Sequence, residues 1–279
     1  VVDLASTTPV AIGGVGGSGT RVVAAALRRA GWYLGDDLNA ALDNLWFTLL
    51  FKHPAVLLLS DVEVEQLLSI FVARMQGEPQ GSERTARVVR ALAARRCEQH
   101  DPVWLSERAS TLLAAGPGAA GRPWGWKEPN THVVLGHLAA SVPGLRYVHV
   151  LRSGLDMALS DNQNQPRMWG PSFGVPYDGS AGSSLRFWCE AQRRVLRAAA
   201  AMPGRVLWLR FEDLCASPEQ ELTRLFEFCG VPDPEQSAAS AADEVRPPAS
   251  LGRGRRHLAE IHPRAEDLEL VAELGFPVG

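Results

Sequence analysis

The chain has 279 residues, 46% of them hydrophobic, with a net charge of -3 and a pI near 6.2. This is the make-up of a globular protein able to bury a core, and it gives no global reason to expect nucleic acid or an anionic membrane as the main partner, so any anion must be bound locally. No run approaches the roughly 18 apolar residues that span a bilayer, and residues 1 to 9 lack the charged-then-apolar pattern of a signal peptide. Cys97, Cys189, Cys215 and Cys229 show neither C-x-x-C spacing nor histidine partners at zinc-ligand spacing. Free thiols, no metal and a cytoplasmic location are therefore expected.

The first element is "PVAIGG" (9 to 14), a short apolar run stopped by glycines. It leads into "TRVVAAALRRAG", where Val22, Val23, Ala26 and Leu27 recur at helical spacing before Gly31, so the order reads strand, tight loop, helix. Residues 38 to 52, 61 to 75 and 82 to 99 read as successive helices, separated by "HPAVLLLS" and "GEPQGS". They form a mostly helical insertion over 36 to 120. "WGWKEP" (124 to 129) reads as a strand ended by Pro129, and "NTHVVLGHLAASVPG" as a helix opened by polar capping residues. "LRYVHVLR" (145 to 152) is a second strand-helix junction, with "SGLDMALSDNQ" as its helix and Ser160 inside that helix. "RVLWLRFEDL" (205 to 214) followed by "SPEQELTRLFEFCG" (217 to 230) repeats the pattern, with Ser217 as N-cap and Gly230 as the stop. Repeated βα units predict a parallel sheet flanked by helices, in one domain over 1 to 279. Two Gly/Pro-marked stretches, 164 to 182 and 243 to 257, read as long loops, a length that in a compact domain is usually functional or disordered.

The glycine loop "GGVGGSGTR" fits two nucleotide-binding patterns at once. Gly14, Gly16 and Gly19 match the dinucleotide fingerprint, while Gly14 and Gly19 alone make most of a P-loop. A nucleotide kinase or hydrolase needs a lysine after Gly19 to reach the terminal phosphates, and this chain has Thr20-Arg21. A dinucleotide enzyme needs an acidic residue at the end of the second strand; Asp36 and Asp37 stand near that distance, but the only strand before them, "WYL", is very short. What both patterns share is a glycine turn that exposes N–H groups at a helix N-terminus, a natural anion site. Gly16, Gly17, Ser18, Gly19, Thr20 and Arg21 are its candidate residues. Arg152 ends a later strand, and in a parallel sheet the carboxyl ends of the strands share one ligand edge. Two anion sites on one edge imply a ligand with two separated anionic groups.

On these residues the chain resembles the sulfotransferases that use 3′-phosphoadenosine 5′-phosphosulfate (PAPS) and release 3′-phosphoadenosine 5′-phosphate (PAP). The resemblance rests on Ser18-Gly19-Thr20, on Arg152 with Ser160 eight residues later, on "LRFEDLCASPEQELTRLFEFCGVP" and on "SLGRGRR" after residue 249, and it spans 12 to 256 in the family's order. It implies a three-layer, P-loop-like α/β fold, with a phosphosulfate cradle at the first loop and a 3′-phosphate site at Arg152 and Ser160. It also implies a basic cover from Arg253, Gly254 and Arg255, with Arg256 adjoining. The family usually places a lysine or arginine just before S-G-T; here Gly17 stands there, and Arg21 or Lys127, or both, are the proposed substitutes. Lys127 is one of only two lysines, the other being Lys52, and "GWKEP" is similar to the K-x-P context of the tyrosylprotein branch. Gly35-Asp36-Asp37 is similar to that branch's Gly-Glu-Glu, which makes Asp36 or Asp37 the expected base, with His53 as alternative; equally, the two aspartates could simply cap a helix beginning near Leu38. His132, His137 and His149 read as core or surface residues. Trp46, Phe47 and Phe51, together with Trp169, Phe173 and Tyr177 on a lid over 164 to 182, could line the site of a small-molecule, sugar or lipid acceptor, although an aromatic stripe at helical spacing also reads as core. The competing readings are a P-loop kinase or hydrolase with a replaced lysine, and a non-catalytic nucleotide-binding module. Acceptor and oligomeric state are not encoded in any recognisable motif.

Overall fold

The computed structural model describes residues 8–78, 80–94, 100–142 and 144–279. Its framework is a sheet in the order β2-β1-β3-β4, all neighbours parallel, formed by β1 (Val10–Gly13), β2 (Gly125–Lys127), β3 (Arg146–Leu151) and β4 (Val206–Arg210). Strands covered on both faces need continuous apolar runs. Every residue of β1 is buried: Ala11 faces one core, while Val10 and Ile12 face the other. The register sets Ile12 opposite both Lys127 and Val148, so β2 and β1 end side by side while β3 runs on to Leu151. The candidate strand "WYL" shrinks to one bridge, Tyr33 to Trp124.

One face of the sheet carries α1 (Thr20–Arg29). The inserted segment follows, with α2 (Leu45–Phe51), α3 (Asp61–Gln76), α4 (Glu83–Ala93) and α5 (Pro102–Leu113). After β2 come α6 (Leu135–Ser141), then beyond β3 α7 (Gly154–Ala158), α8 (Asn164–Trp169) and α9 (Ala181–Ala199). Following β4 are α10 (Phe211–Ala216), α11 (Pro218–Cys229), α12 (Pro234–Ala242), α13 (Arg253–Arg256), α14 (Leu258–Ile261) and α15 (Ala265–Glu273). Val23 and Leu27 of α1 share a core with Leu222 and Leu225 of α11. The inserted helices, α6 and α9 fill the core on the opposite face, around the fully buried Trp126. A parallel sheet between two helical layers is the expected fold, with the helical insertion in its expected place.

Several expected boundaries move, each for a local reason. The helix read over 38 to 52 begins only at Leu45, because Asn44 caps it by accepting from Phe47 N, and the Asn39 side chain folds residues 38–44 into a turn by accepting from Ala41 N and Asp43 N. Asp36 and Asp37 therefore do not cap a helix at Leu38. "NTHVVLGHLAAS" opens as a 3-10 turn over Pro129–Val134, capped by Glu128 rather than by Asn130 or Thr131. Ser160 lies beyond the end of α7, not inside it, and β4 stops at Arg210, where α10 takes over. Ser217 makes no side-chain cap bond. The expected loop over 164 to 182 holds α8, a 3-10 turn and the start of α9. Cys97 and the end of the helix expected over 82 to 99 lie outside the described residues.

Candidate active site

The loop after β1 is shaped by its glycines. Gly17 and Gly19 have φ of +98° and +99°, the left-handed region that favours glycine. At Gly19 a Cβ would be driven into the Phe211 ring, which underlies the loop. No side chain caps α1; Val22 N bonds Gly19 O at 3.0 Å, and the N–H groups of Thr20 and Arg21 ahead of it are the ones a helix start offers to an anion. Ser18 Oγ is buried, turned toward the position a Gly14 Cβ would occupy, and has no hydrogen-bond partner. Thr20 is also buried, whereas Arg21 is exposed. A side chain at position 17 would meet Met157 at 3.4 Å and Ser160 at 4.0 Å. Those are ordinary contact distances, so the physical reason for Gly17 is its left-handed backbone, on which a basic residue would be strained.

Arg152 joins three distant segments. Its Nη1 donates to Gly17 O at 3.2 Å, its Nη2 donates to Ser250 Oγ at 2.9 Å, and its guanidinium stands over the Phe211 ring at 5.7 Å. Asp156, one turn along, lies 3.7 Å from Nη2 and is itself buried. That carboxylate also accepts Gly252 N at 2.7 Å and Gly254 N at 2.8 Å, which ties the late basic segment to α7. Gly254 packs so closely on the Leu155 backbone that a side chain would not fit. Arg253 Nη2 reaches Asp156 O at 3.4 Å, while Arg255 and Arg256 are exposed. Burial pushes the Glu212 carboxyl up, and it accepts Ser153 N at 2.9 Å. Neither Asp156 nor Glu212 was singled out in the sequence, although Asp156 stands at the i+4 spacing of an ion pair with Arg152.

On the other side of the glycine loop, Lys127 closes β2. Its ammonium is almost wholly buried and donates to Ala41 O at 3.0 Å and to the Asp43 carboxylate. The next residue, Glu128, is fully buried, lies 3.8 Å from Lys52 Nζ and accepts two bonds from Asn130; burial raises its carboxyl and the Lys52 charge opposes that shift. Asp36 pairs with Arg74 at 3.2 Å; Asp37 pairs with Arg108 at 3.2 Å and accepts the Thr111 hydroxyl. Both carboxylates therefore turn toward α3 and α5. His53 Nε2 contacts Leu50 O at 3.2 Å.

Trp46, Phe47 and Phe51 are buried in the core, with Phe47 against Phe51 at 4.6 Å, so they have no face left for an acceptor. Trp169 and Phe173 are buried as well, and only Tyr177, beside Arg167, is partly open. α8 is fastened rather than free: Gln165 Nε2 donates to Gly14 O at 3.3 Å and Trp169 Nε1 donates to Asn130 Oδ1 at 2.8 Å. Beneath the loop, His132 meets Gln165 at 3.2 Å and His149 meets Gln192 at 2.7 Å and Tyr147 OH at 2.9 Å. Burial holds His132 down at about 4 and His149 at about 3, so both rings are neutral structural links. Beside α1 a cavity of 460 Å³ is lined by Arg21, Val22, Ala25, Leu42, Val245 and Arg246, among others.

A model of the sulfotransferase family matches residues 9–235 of the chain. Among solved structures, the chain is similar to the sulfotransferase domain of the Synechococcus PCC 7002 olefin synthase, at 15% identity and a TM-score of 0.54, covering 98% of this chain and 97% of that one. It is also similar to sulfotransferase STF9 from Mycobacterium avium, at 15% identity and a TM-score of 0.49, covering 96% of this chain and 76% of that one. At such identity the likeness to the Synechococcus domain speaks for the fold. No curated protein matches the chain. Among the described residues no helix is long and apolar enough to cross a membrane.

Proposed function

The chain belongs to the sulfotransferase family, and on that premise we propose that it moves the sulfuryl group of PAPS to a hydroxyl or amine of a small-molecule, sugar or lipid acceptor, leaving PAP. The observation that carries the reading is the Arg152 node. One guanidinium links the glycine loop to the late basic segment, so a ligand with two separated phosphate groups meets the α1 N-terminus and Arg152 together. The residues fit such a ligand: the N–H groups of Gly16, Gly17, Gly19 and Thr20 face the 5′-phosphosulfate, Ser18 shapes the loop from within, and Arg21 adds charge at its rim. Arg152 and Ser160 take the 3′-phosphate, under a cover of Arg253, Gly254 and Arg255. The cavity beside α1, with apolar walls and two guanidiniums, suits the adenosine.

Sulfuryl transfer needs the acceptor oxygen, the sulfur and the leaving oxygen in line, with positive charge where the leaving phosphate develops its own. Lys127 supplies that charge in place of the basic residue absent at Gly17. An ammonium has three N–H donors, and Ala41 and Asp43 take two of them, which leaves one for the leaving oxygen. A carboxylate of the inserted segment takes the acceptor's proton; Asp36 and Asp37 are the pair that the sequence pattern suggests. The acceptor lid narrows from 164 to 182 to residues 174–180, which no helix holds.

The test is calorimetry with PAP, ADP and NAD on the wild type and on Arg152→Ala. PAP should bind more tightly than ADP or NAD, and the substitution should weaken PAP by about 2 to 4 kcal/mol, the cost of removing one partner of a charge-assisted contact, while leaving ADP nearly unchanged. Equal binding of PAP and ADP, or PAP affinity indifferent to Arg152→Ala, would refute the two-phosphate site.

A further inference from the structure

We propose that Asp43 is the base that takes the acceptor's proton. This rests on the transfer reading above and names the carboxylate which that reading requires.

The inserted segment carries three carboxylates between Leu34 and Leu45, and their partners separate them. Asp36 is held by Arg74, whose buried guanidinium also lies 4.2 Å from the Trp46 ring centroid, and Asp37 is held by Arg108 and Thr111. These two fasten the segment to α3 and α5. Asp43 is the one bonded to Lys127, the ammonium closing the strand beside the glycine loop. A base has to stand next to the group that stabilises the leaving oxygen, because both act on one sulfur.

Asp43 is also aimed. Its Oδ2 accepts Asn39 Nδ2 at 2.8 Å and its own N–H donates to Asn39 Oδ1 at 2.9 Å, so Asn39 fixes the carboxylate from one side and Lys127 from the other. A carboxylate offers about four lone-pair sites, which leaves room for a hydroxyl donor, and the side chain is 18% exposed. The turn that presents it carries Leu42 at φ +63°, a left-handed non-glycine conformation that persists where the surroundings over-determine it. Ala40 and Leu42, on either side of the lysine-binding Ala41, border the cavity beside α1 that the proposed function gives to the adenosine, so the turn joins that cavity to Lys127.

In the step this assigns, the acceptor O–H gives its proton to Asp43 as the acceptor oxygen bonds the sulfur. The bond from sulfur to the 5′-phosphate oxygen breaks, and its electron pair remains on that oxygen, opposite Lys127 Nζ. Sulfated acceptor and PAP leave, and Asp43 returns the proton to water.

The experiment follows PAP formation from labelled PAPS under excess enzyme with 2-naphthol present, which counts transfer to the phenol and to water alike, beside calorimetry with PAP. Asp43→Asn keeps an oxygen for Lys127 but cannot take a proton. It should slow PAP formation at least about 100-fold, the usual scale of general-base catalysis, with PAP affinity within about threefold of wild type. Asp43→Glu should recover about tenfold of that loss. With 4-nitrophenol, a phenol far more readily ionised, the Asp43→Asn deficit should shrink, whereas a purely positioning role would slow both phenols alike. PAP formation in Asp43→Asn within about threefold of wild type, or PAP affinity falling in step with the rate, overturns the assignment. A wild type that binds PAP yet forms none from PAPS overturns the transfer reading itself, and Asp43's role with it.

Discussion

The two sides of the glycine loop are built by different means. Toward β3, the side proposed to hold the donor uses backbone: the N-terminus of α1, the carbonyl of Gly17, the amides of Gly252 and Gly254 on Asp156, and one arginine that joins them. Toward β2, the side proposed to meet the acceptor uses side-chain pairs drawn from far along the chain, Lys127 with Asp43, Lys52 with Glu128, Asp36 with Arg74 and Asp37 with Arg108. Phosphate recognition asks for a fixed nest of N–H groups, which a strand-helix junction supplies locally. Proton transfer and leaving-group stabilisation ask for charges in a dry place, and a buried charge needs a partner. On the proposed reading, donor recognition rests on the strand-helix junctions of the fold, whereas the chemistry draws on the insertion together with Lys127 at the end of β2.

Substitutions can break that division, and the largest effect belongs to the acceptor side. Lys127→Ala should lower turnover by about 100- to 1,000-fold, the usual cost of one donor to a developing oxyanion, with a much smaller change in PAP affinity; single-turnover rates and calorimetry measure the two separately. Equal losses in both would erase the boundary between the sides. On the donor side, Gly19→Ala forces a side chain into a left-handed position against Phe211, so thermal unfolding should show a loss of about 1 to 3 kcal/mol, and PAP binding should fall with it.

The buried histidines beneath the loop give a pH test of the scaffold common to both sides. His132, at about 4, and His149, at about 3, titrate below their ordinary value of 6.5. Between pH 6.5 and about 4 the unfolded chain therefore binds more protons, and stability is lost as pH falls through that window, by roughly 2 to 3 kcal/mol for His132 alone. Glu128, raised by burial, acts in the opposite sense, being relieved on protonation. Glu212, also raised by burial, acts with Glu128, whereas His100, lowered by burial to about 4, acts with His132 and His149. With three histidines against two carboxyls, the melting temperature should decline from pH 7 to pH 4.5, and a flat profile would contradict the burial of the rings. The smallest effect is Ser160→Ala, one neutral hydroxyl beside Gly17. A titration should show PAP affinity weakened by about 0.5 to 1.5 kcal/mol, or severalfold, with turnover at saturating PAPS unchanged.

Much of the donor side was legible because its signals are local. A buried apolar strand, glycines and a helix pattern follow one another at 9 to 31, and an arginine ends the next strand of the same kind. The sequence pattern puts Ser160 inside a helix, but that helix stops at Ala158, and Ser160 lies beside Gly17 all the same. The acceptor side was read less well. Trp46, Phe47 and Phe51 could be assigned to a pocket or to the core on spacing alone, and they went to the core. Asp43 carries no motif, since its partner stands 84 residues away.

What the sequence determined by itself was the parallel sheet, the helical insertion and the glycine loop between β1 and α1, because hydrophobic period, glycine and strand ends act over a few residues. Only the tertiary structure decided which of the inserted carboxylates meets Lys127, that Arg152 reaches Ser250, and that α8 is fastened to Gly14. Those contacts depend on how separate elements pack across the sheet edge. A charge finds its partner there through burial and geometry rather than through its neighbours in the chain.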